Sequence, residues 1–509
     1  MAPSQESSST PPPASSVRSA EAPPSTRWVN SPVSPSAVPS TRHRLNPSSE
    51  GPSPGPSFSL SLPAYGRQSN QGTPQAPRCK GSPMKFNTMV RTGVAAVTSL
   101  AAALGISACA RDYTAAYVYS ISSTSGAISA YGVDYQSGVI TQIQGSPFST
   151  QLTNPATIVS TPNGKYVYAV SGNQQAVVEP FSVGTDGKLY GEATVNLTGT
   201  YPLAATIDST STWLFVTYQY QTQYGPNAPG PGGMSIFKIN SDGTLGTPTN
   251  VNLGVDPIGV TVSAPVCTTS PIIPGNLTSA CSSGQGANVY VYAVDQETSA
   301  TPAIIGFSFN DSTGAVSFLP GSTCSTTNPT VCTGIRAGVQ PSAIVSEPTG
   351  RYVYVTDALQ NEIFSYQIAG PTTANPGQLS STVQGFVSTG LYPISMVVDP
   401  RGKYLYAANY NSATVSSYSI SLSDGSLGGT ASVGNFATQT GPTCITIEPA
   451  LGIYLYTSDK LAGDISGGQL NANTGQLSAV PTQFFPTGSL PSCLTSVPNG
   501  PRANQLVYP

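Results

Sequence analysis

The feature that most constrains this chain is a repeat running from Tyr117 to Thr495. A proline opens a short apolar segment at Pro155, Pro202, Pro257, Pro341, Pro393, Pro442 and Pro491, at spacings of 47, 55, 84, 52, 49 and 49 residues. A second marker is an aromatic-apolar-aromatic triplet. It stands at Tyr117-Val118-Tyr119, Tyr166-Val167-Tyr168, Trp213-Leu214-Phe215, Tyr290-Val291-Tyr292, Tyr352-Val353-Tyr354, Tyr404-Leu405-Tyr406 and Tyr454-Leu455-Tyr456. Turns such as Asp399-Pro400-Arg401-Gly402-Lys403 join the two markers, with Pro and Gly supplying the fixed and positive φ values of a tight turn. A fixed period of this length signals one supersecondary unit used many times.

After each triplet comes an alternating segment, for example Ala413 to Ile420, and then a hairpin such as Thr185-Asp186-Gly187-Lys188 or Ser423-Asp424-Gly425-Ser426. Asp-Gly is a favoured connection between twisted strands. A calcium loop would need further carboxylates at alternate positions, and these are missing. Four strands per unit, seven times, predicts an all-β, seven-bladed β-propeller with four-stranded antiparallel blades. Charged residues make up only 8% of the chain against 51 Gly and 47 Pro, which suits a turn-rich β fold. Trp213 is the one Trp of the repeat region, so the Trp-Asp pattern of WD40 blades is excluded. The chain enters at a second strand, Tyr117, and a lone first strand remains at Pro491 to Thr495. The C-terminal strand is therefore expected to complete the N-terminal blade.

Three segments are expected: 1–83, 84–108 and 109–509. The first is rich in Pro and Ser and carries seven basic and three acidic groups. It buries too little apolar surface to fold and reads as disordered, upstream of the working start. From Met84, Lys85 and Arg91 precede an Ala-rich apolar run ending Ile106-Ser107-Ala108-Cys109. That layout predicts a lipoprotein-type signal peptide, with Cys109 lipidated and the body held at the cell envelope, on the outer-membrane or periplasmic side. An uncleaved anchor over 89–108 is the alternative. Residues 110–509 carry ten basic and nineteen acidic groups, which argues against a nucleic-acid surface. The expected partners are an envelope protein or a carbohydrate-like small molecule, with the protein a monomer.

The repeated Pro, then Asp/Glu-Pro-x-Gly-Arg/Lys-Tyr-x-Tyr, resembles the lactonase-like seven-bladed propellers, whose name-giving members hydrolyse 6-phosphogluconolactone. It is clearest in Pro341–Asp357 and Pro393–Asn409. The resemblance implies the fold and, more weakly, lactone hydrolysis. Propeller hydrolases of related form use His, Arg and carboxylates near the central channel, and here this chain departs from them. Its only His is His43, in the first segment. That removes Ser-His-Asp, Cys-His and His-metal chemistry from the body. The sequence therefore favours a binding or scaffolding platform, with a sugar-lactone hydrolase acting without histidine as the alternative. No cofactor is expected, and a divalent metal stays open.

In a propeller the functional face carries the loops after the aromatic strand and before the proline. Candidates there are Asn173, Asp295, Glu297, Asp357, Asn361, Asn409, Asn411, Asp459, Lys460 and Arg336, the last as an isolated anion contact. The competing role for the Asp and Asn residues is to cap strand-ending turns. Arg351 and Arg401 fall in turns on the opposite face and read as structural.

Six cysteines follow Cys109: Cys267, Cys281, Cys324, Cys332, Cys444 and Cys493. An even number in an exported chain is expected to pair. Local bridges Cys267–Cys281 and Cys324–Cys332 are predicted, the first inside the insertion that stretches one spacing to 84. Cys444 and Cys493 each lie two residues after a marker proline. Sheets about 10 Å apart make a bridge there marginal, so a disulfide and two buried thiols are both open.

Overall fold

The computed structural model describes residues 114–267, 287–296, 302–428 and 433–500. These residues form seven antiparallel sheets arranged as the blades of a propeller. Each blade runs from an innermost strand to an outermost strand after the hairpin; six innermost strands begin at a marker proline, and that of blade 3, Gly199–Ile207, contains Pro202. Blade 5 shows the pattern plainly: Pro341–Ser346, Tyr352–Asp357, Glu362–Ile368 and Leu379–Ser388. Blade 1 is closed as the sequence predicts. The C-terminal strand Pro491–Pro498 pairs antiparallel with the first strand of the described chain, Thr114–Ser122, with Tyr119 opposite Thr495.

The aromatic triplets are explained by what they touch. In six of the seven triplets the last residue is a buried tyrosine that donates its hydroxyl to a hairpin glycine carbonyl in the next blade. The pairs are Tyr119 to Gly187, Tyr168 to Gly243, Tyr292 to Gly377, Tyr354 to Gly425, Tyr406 to Gly475 and Tyr456 to Gly138, all between 2.6 and 2.9 Å. The first aromatic covers the same glycine. A Cβ on Gly475, which has φ +74°, would lie 2.2 Å from the Tyr404 ring. Only glycine tolerates both that backbone and that approach. The hairpin glycines thus serve as sockets for the neighbouring blade as well as turn residues.

The turns on the opposite face are ordered by buried acids. Both oxygens of Glu448 accept backbone N–H groups, from Ala450 and Leu451 and from Ile453 and Tyr454. Asp399 accepts from the Lys403 and Tyr404 amides and pairs with Arg401 at 2.6 Å, and Arg401 reaches the Gly452 carbonyl. Arg351 donates to the Leu422 carbonyl. Both arginines are held in the framework.

Two disulfides join described residues. Cys324–Cys332 closes a small hairpin between blades 4 and 5, as expected. Cys444–Cys493 is bonded, with Cα atoms 4.9 Å apart, and ties the closing strand of blade 1 to blade 7. The mean spacing of packed sheets made this bridge look marginal. Innermost strands converge on the axis, however, and at Cys444 and Cys493 they are close enough. The insertion lies between Pro257–Val262 and Ala287–Asp295, the first two full strands of blade 4. Cys281 falls outside the described residues, as do Cys109, Glu297 and residues 1–113, so those expectations are not addressed by the structure.

Candidate functional site

The central channel is walled by the seven innermost strands, and none of them contains a charged residue. Several of their hydroxyls bond across blade boundaries. Ser160 meets Thr495 at 2.8 Å, Thr446 meets Ser496 at 2.9 Å and Thr261 meets Ser346 at 3.1 Å. Such a wall can hydrogen-bond a neutral molecule but offers no acid, base or fixed charge.

At the mouth, the last residue of the second strand sits opposite the marker proline in every blade but blade 3, where Tyr218 pairs with Pro202. Blades 4 to 7 place Asp295, Asp357, Asn409 and Asp459 there, each cross-paired with its proline. All four are fully buried or nearly so. Asp357 accepts four backbone N–H groups, from Val339, Gln340, Leu359 and Gln360. Asp295 accepts the Ala303 amide. The Asn409 amide donates to Ser416 and Thr414, and its oxygen accepts from Thr389. These groups organise the loops of the mouth.

The remaining candidates are spread over the same face. Asn361, at φ +57°, accepts the Tyr392 amide at 2.7 Å, while Asn411 is exposed and donates its own amide to the Leu391 carbonyl. Lys460 is half-buried, its amide on the Gly441 carbonyl. Asn173 bonds Thr153. Arg336 is exposed on a two-residue strand paired to the third strand of blade 4, away from the innermost ring. The structure does not gather these residues into one cluster. Among the described residues no group of three or more His, Cys, Asp or Glu could hold a metal ion.

One pair differs. Asp459 faces Asp464 across the first rung of blade 7. Its oxygens take hydroxyls from Thr457 and Ser466 and the Gln439 amide, yet burial pushes its carboxyl up to about 8, with the Asp464 charge adding to the rise. Asp464 is raised by burial too, and its Oδ1 is buried without a hydrogen bond. Burial and the facing like charge both favour the protonated form of this pair. Asp464 carried no signal in the sequence; only the strand register brings it to Asp459.

Sequence reading also missed the aromatic and apolar residues of the mouth. Tyr201 and Tyr392 stand immediately before marker prolines with φ of +56° and +58°, a strained backbone for a bulky side chain. Each meets a second tyrosine edge-on, Tyr220 at 5.7 Å and Tyr410 at 6.2 Å. Around blades 5 to 7 and the return into blade 1, the mouth loops expose Leu359, Leu391, Leu461 and Leu490, each by 40–62%.

The model of the family described as lactonase, 7-bladed β-propeller, matches residues 113–262 and 287–447. The chain belongs to that family. The matched stretches leave out the blade 4 insertion. Among solved structures, a candidate 6-phosphogluconolactonase from Bacteroides uniformis is 19% identical at TM-score 0.53, covering 75% of this chain and all of its own. The periplasmic gluconolactonase of Pseudomonas aeruginosa is 15% identical at TM-score 0.54, covering 75% of this chain and 99% of its own. At such identities the likeness is one of fold. No curated protein matches the chain.

Proposed function

We propose that this lactonase-family propeller is an exported binding platform, and that an envelope protein docks on its mouth across blades 5 to 7 and 1. The observation that carries this reading is the arc of Leu359, Leu391, Leu461 and Leu490, with Tyr392 among them, exposed on one face. Large apolar side chains repeatedly exposed on one face mark a candidate interaction surface. The uncharged channel wall and the engagement of both Asp357 oxygens by four backbone N–H groups support binding over catalysis. Two disulfides support an oxidising compartment. Lipid attachment at Cys109 completes the proposal, placing the platform at the membrane surface.

Lactone hydrolysis is the second reading, favoured by one observation, the Asp459–Asp464 pair. A carboxyl titrating near neutral pH is suited to deprotonate a water and return the proton to a ring oxygen. Capture from an envelope extract distinguishes the two. The native propeller should retain a protein that a Leu391→Glu/Leu461→Glu variant does not. Identical captures by both would remove the leucine arc from the function.

A further inference from the structure

The seam between blades 3 and 4 differs from the other six. Phe215 stands where the others carry the second tyrosine, so no hydroxyl reaches the next hairpin from that position. Aromatic packing fills the seam instead, with Trp213 and Phe215 edge-on to Phe309 at 5.6 and 5.1 Å and the Trp213 indole N–H on the Asp311 carbonyl. On the outer side of the same two blades lies a cleft of about 620 Å³. It runs between Thr249–Asn252, the outermost strand of blade 3, and the outer strands of blade 4. Val251, Phe307, Val316 and Phe318 supply the apolar lining, and no lining residue is charged. The disulfide-closed hairpin bounds it, pinned to blade 3 where the Asn252 amide donates to the Pro329 carbonyl at 2.8 Å.

We propose that this cleft binds an uncharged small molecule bearing an aromatic ring. Its volume falls within the roughly 300–1,000 Å³ of small-molecule sites, which are mostly apolar with a few placed polar groups. An ion would lose its hydration there with no opposite charge to meet it. Phe318 is 42% exposed although its ring lies 4.9 Å from that of Phe307, so a further ring can stack on the pair. Asn250 supplies the polar contact. Its side-chain oxygen is occupied by the Ser235 and Thr198 hydroxyls, which leaves its amide N–H groups to orient a ligand acceptor. The cleft is separate from the mouth, and the proposal does not depend on how the mouth is used.

The test is a fluorescence titration of the whole propeller with N-phenyl-1-naphthylamine, a neutral aromatic probe. Saturable binding with a blue-shifted emission is expected. Ala315→Trp, which fills the cleft from an exposed lining position, should raise Kd at least tenfold, and Phe318→Ala at least fivefold. Leu391→Glu at the mouth should leave Kd within twofold. Both cleft positions are exposed, so the fold is spared, and an unchanged melting temperature checks it. No saturable binding, or binding that Ala315→Trp leaves unchanged, overturns the proposal; so does a loss seen only with Leu391→Glu.

Discussion

Removing one hydroxyl from the ring should measure what the tyrosine triplets contribute. Tyr406 is fully buried and its hydroxyl bonds the Gly475 carbonyl of blade 7 at 2.8 Å. In Tyr406→Phe the ring still fills its place, so packing is nearly unchanged and no large cavity opens. The loss is the hydrogen bond, about 1 kcal/mol net, together with the desolvation cost of a carbonyl left without that partner, giving about 1–3 kcal/mol in all. With an unfolding entropy of roughly 2.1 cal/mol/K per residue, a propeller of this size should melt about 1–4 °C lower. Differential scanning calorimetry at fixed scan rate reads the shift directly. Tyr410→Phe, at the half-exposed mouth, is the control and should not move the midpoint. If Tyr406→Phe melts with the native protein, the hydroxyl-to-glycine bonds do not hold the blades together and the reading of the repeat is wrong.

Two further outcomes follow from the same framework. Cys444–Cys493 encloses a separation of 49 residues, for which chain entropy gives about 4 kcal/mol, so Cys444→Ser/Cys493→Ser should melt several degrees lower. Reductant should shift the native protein by a comparable amount and leave the double variant less affected. The raised Asp459 carboxyl gives a pH signature. Its folded value near 8 lies above the ordinary 3.8, so its stabilising contribution is complete below about pH 4 and is lost as pH rises through 8. Asp459→Asn should therefore flatten the fall in stability between about pH 4 and 8, measured by urea denaturation, and an unaltered profile would count against the raised carboxyl.

The architecture was legible in the sequence because each marker has a mechanical task that only certain residues perform. The prolines mark the innermost strands and begin six of them, the tyrosines reach the next blade, and the hairpin glycines receive them. Phe215 shows the limit of this reading: it satisfies the aromatic pattern while lacking the hydroxyl. The mouth was legible in position but not in role. Asp357 is where a ligand-binding carboxylate would stand, yet its oxygens are taken by four backbone amides, and residue type cannot separate those uses. Tyr201 and Tyr392 were missed because nothing local announces a tyrosine held at positive φ before proline. Asp464 was missed because its partner is set by register across a turn.

The most direct test of the functional account is a lactone-hydrolysis assay. Proton release from glucono-1,5-lactone is followed with the purified propeller, with and without added Mg²⁺, Ca²⁺ or Zn²⁺, beside Asp459→Asn. A binding platform with an uncharged channel predicts that the rate equals spontaneous hydrolysis in every case. A saturable, enzyme-dependent rate that Asp459→Asn abolishes would contradict it and establish the carboxyl pair as catalytic.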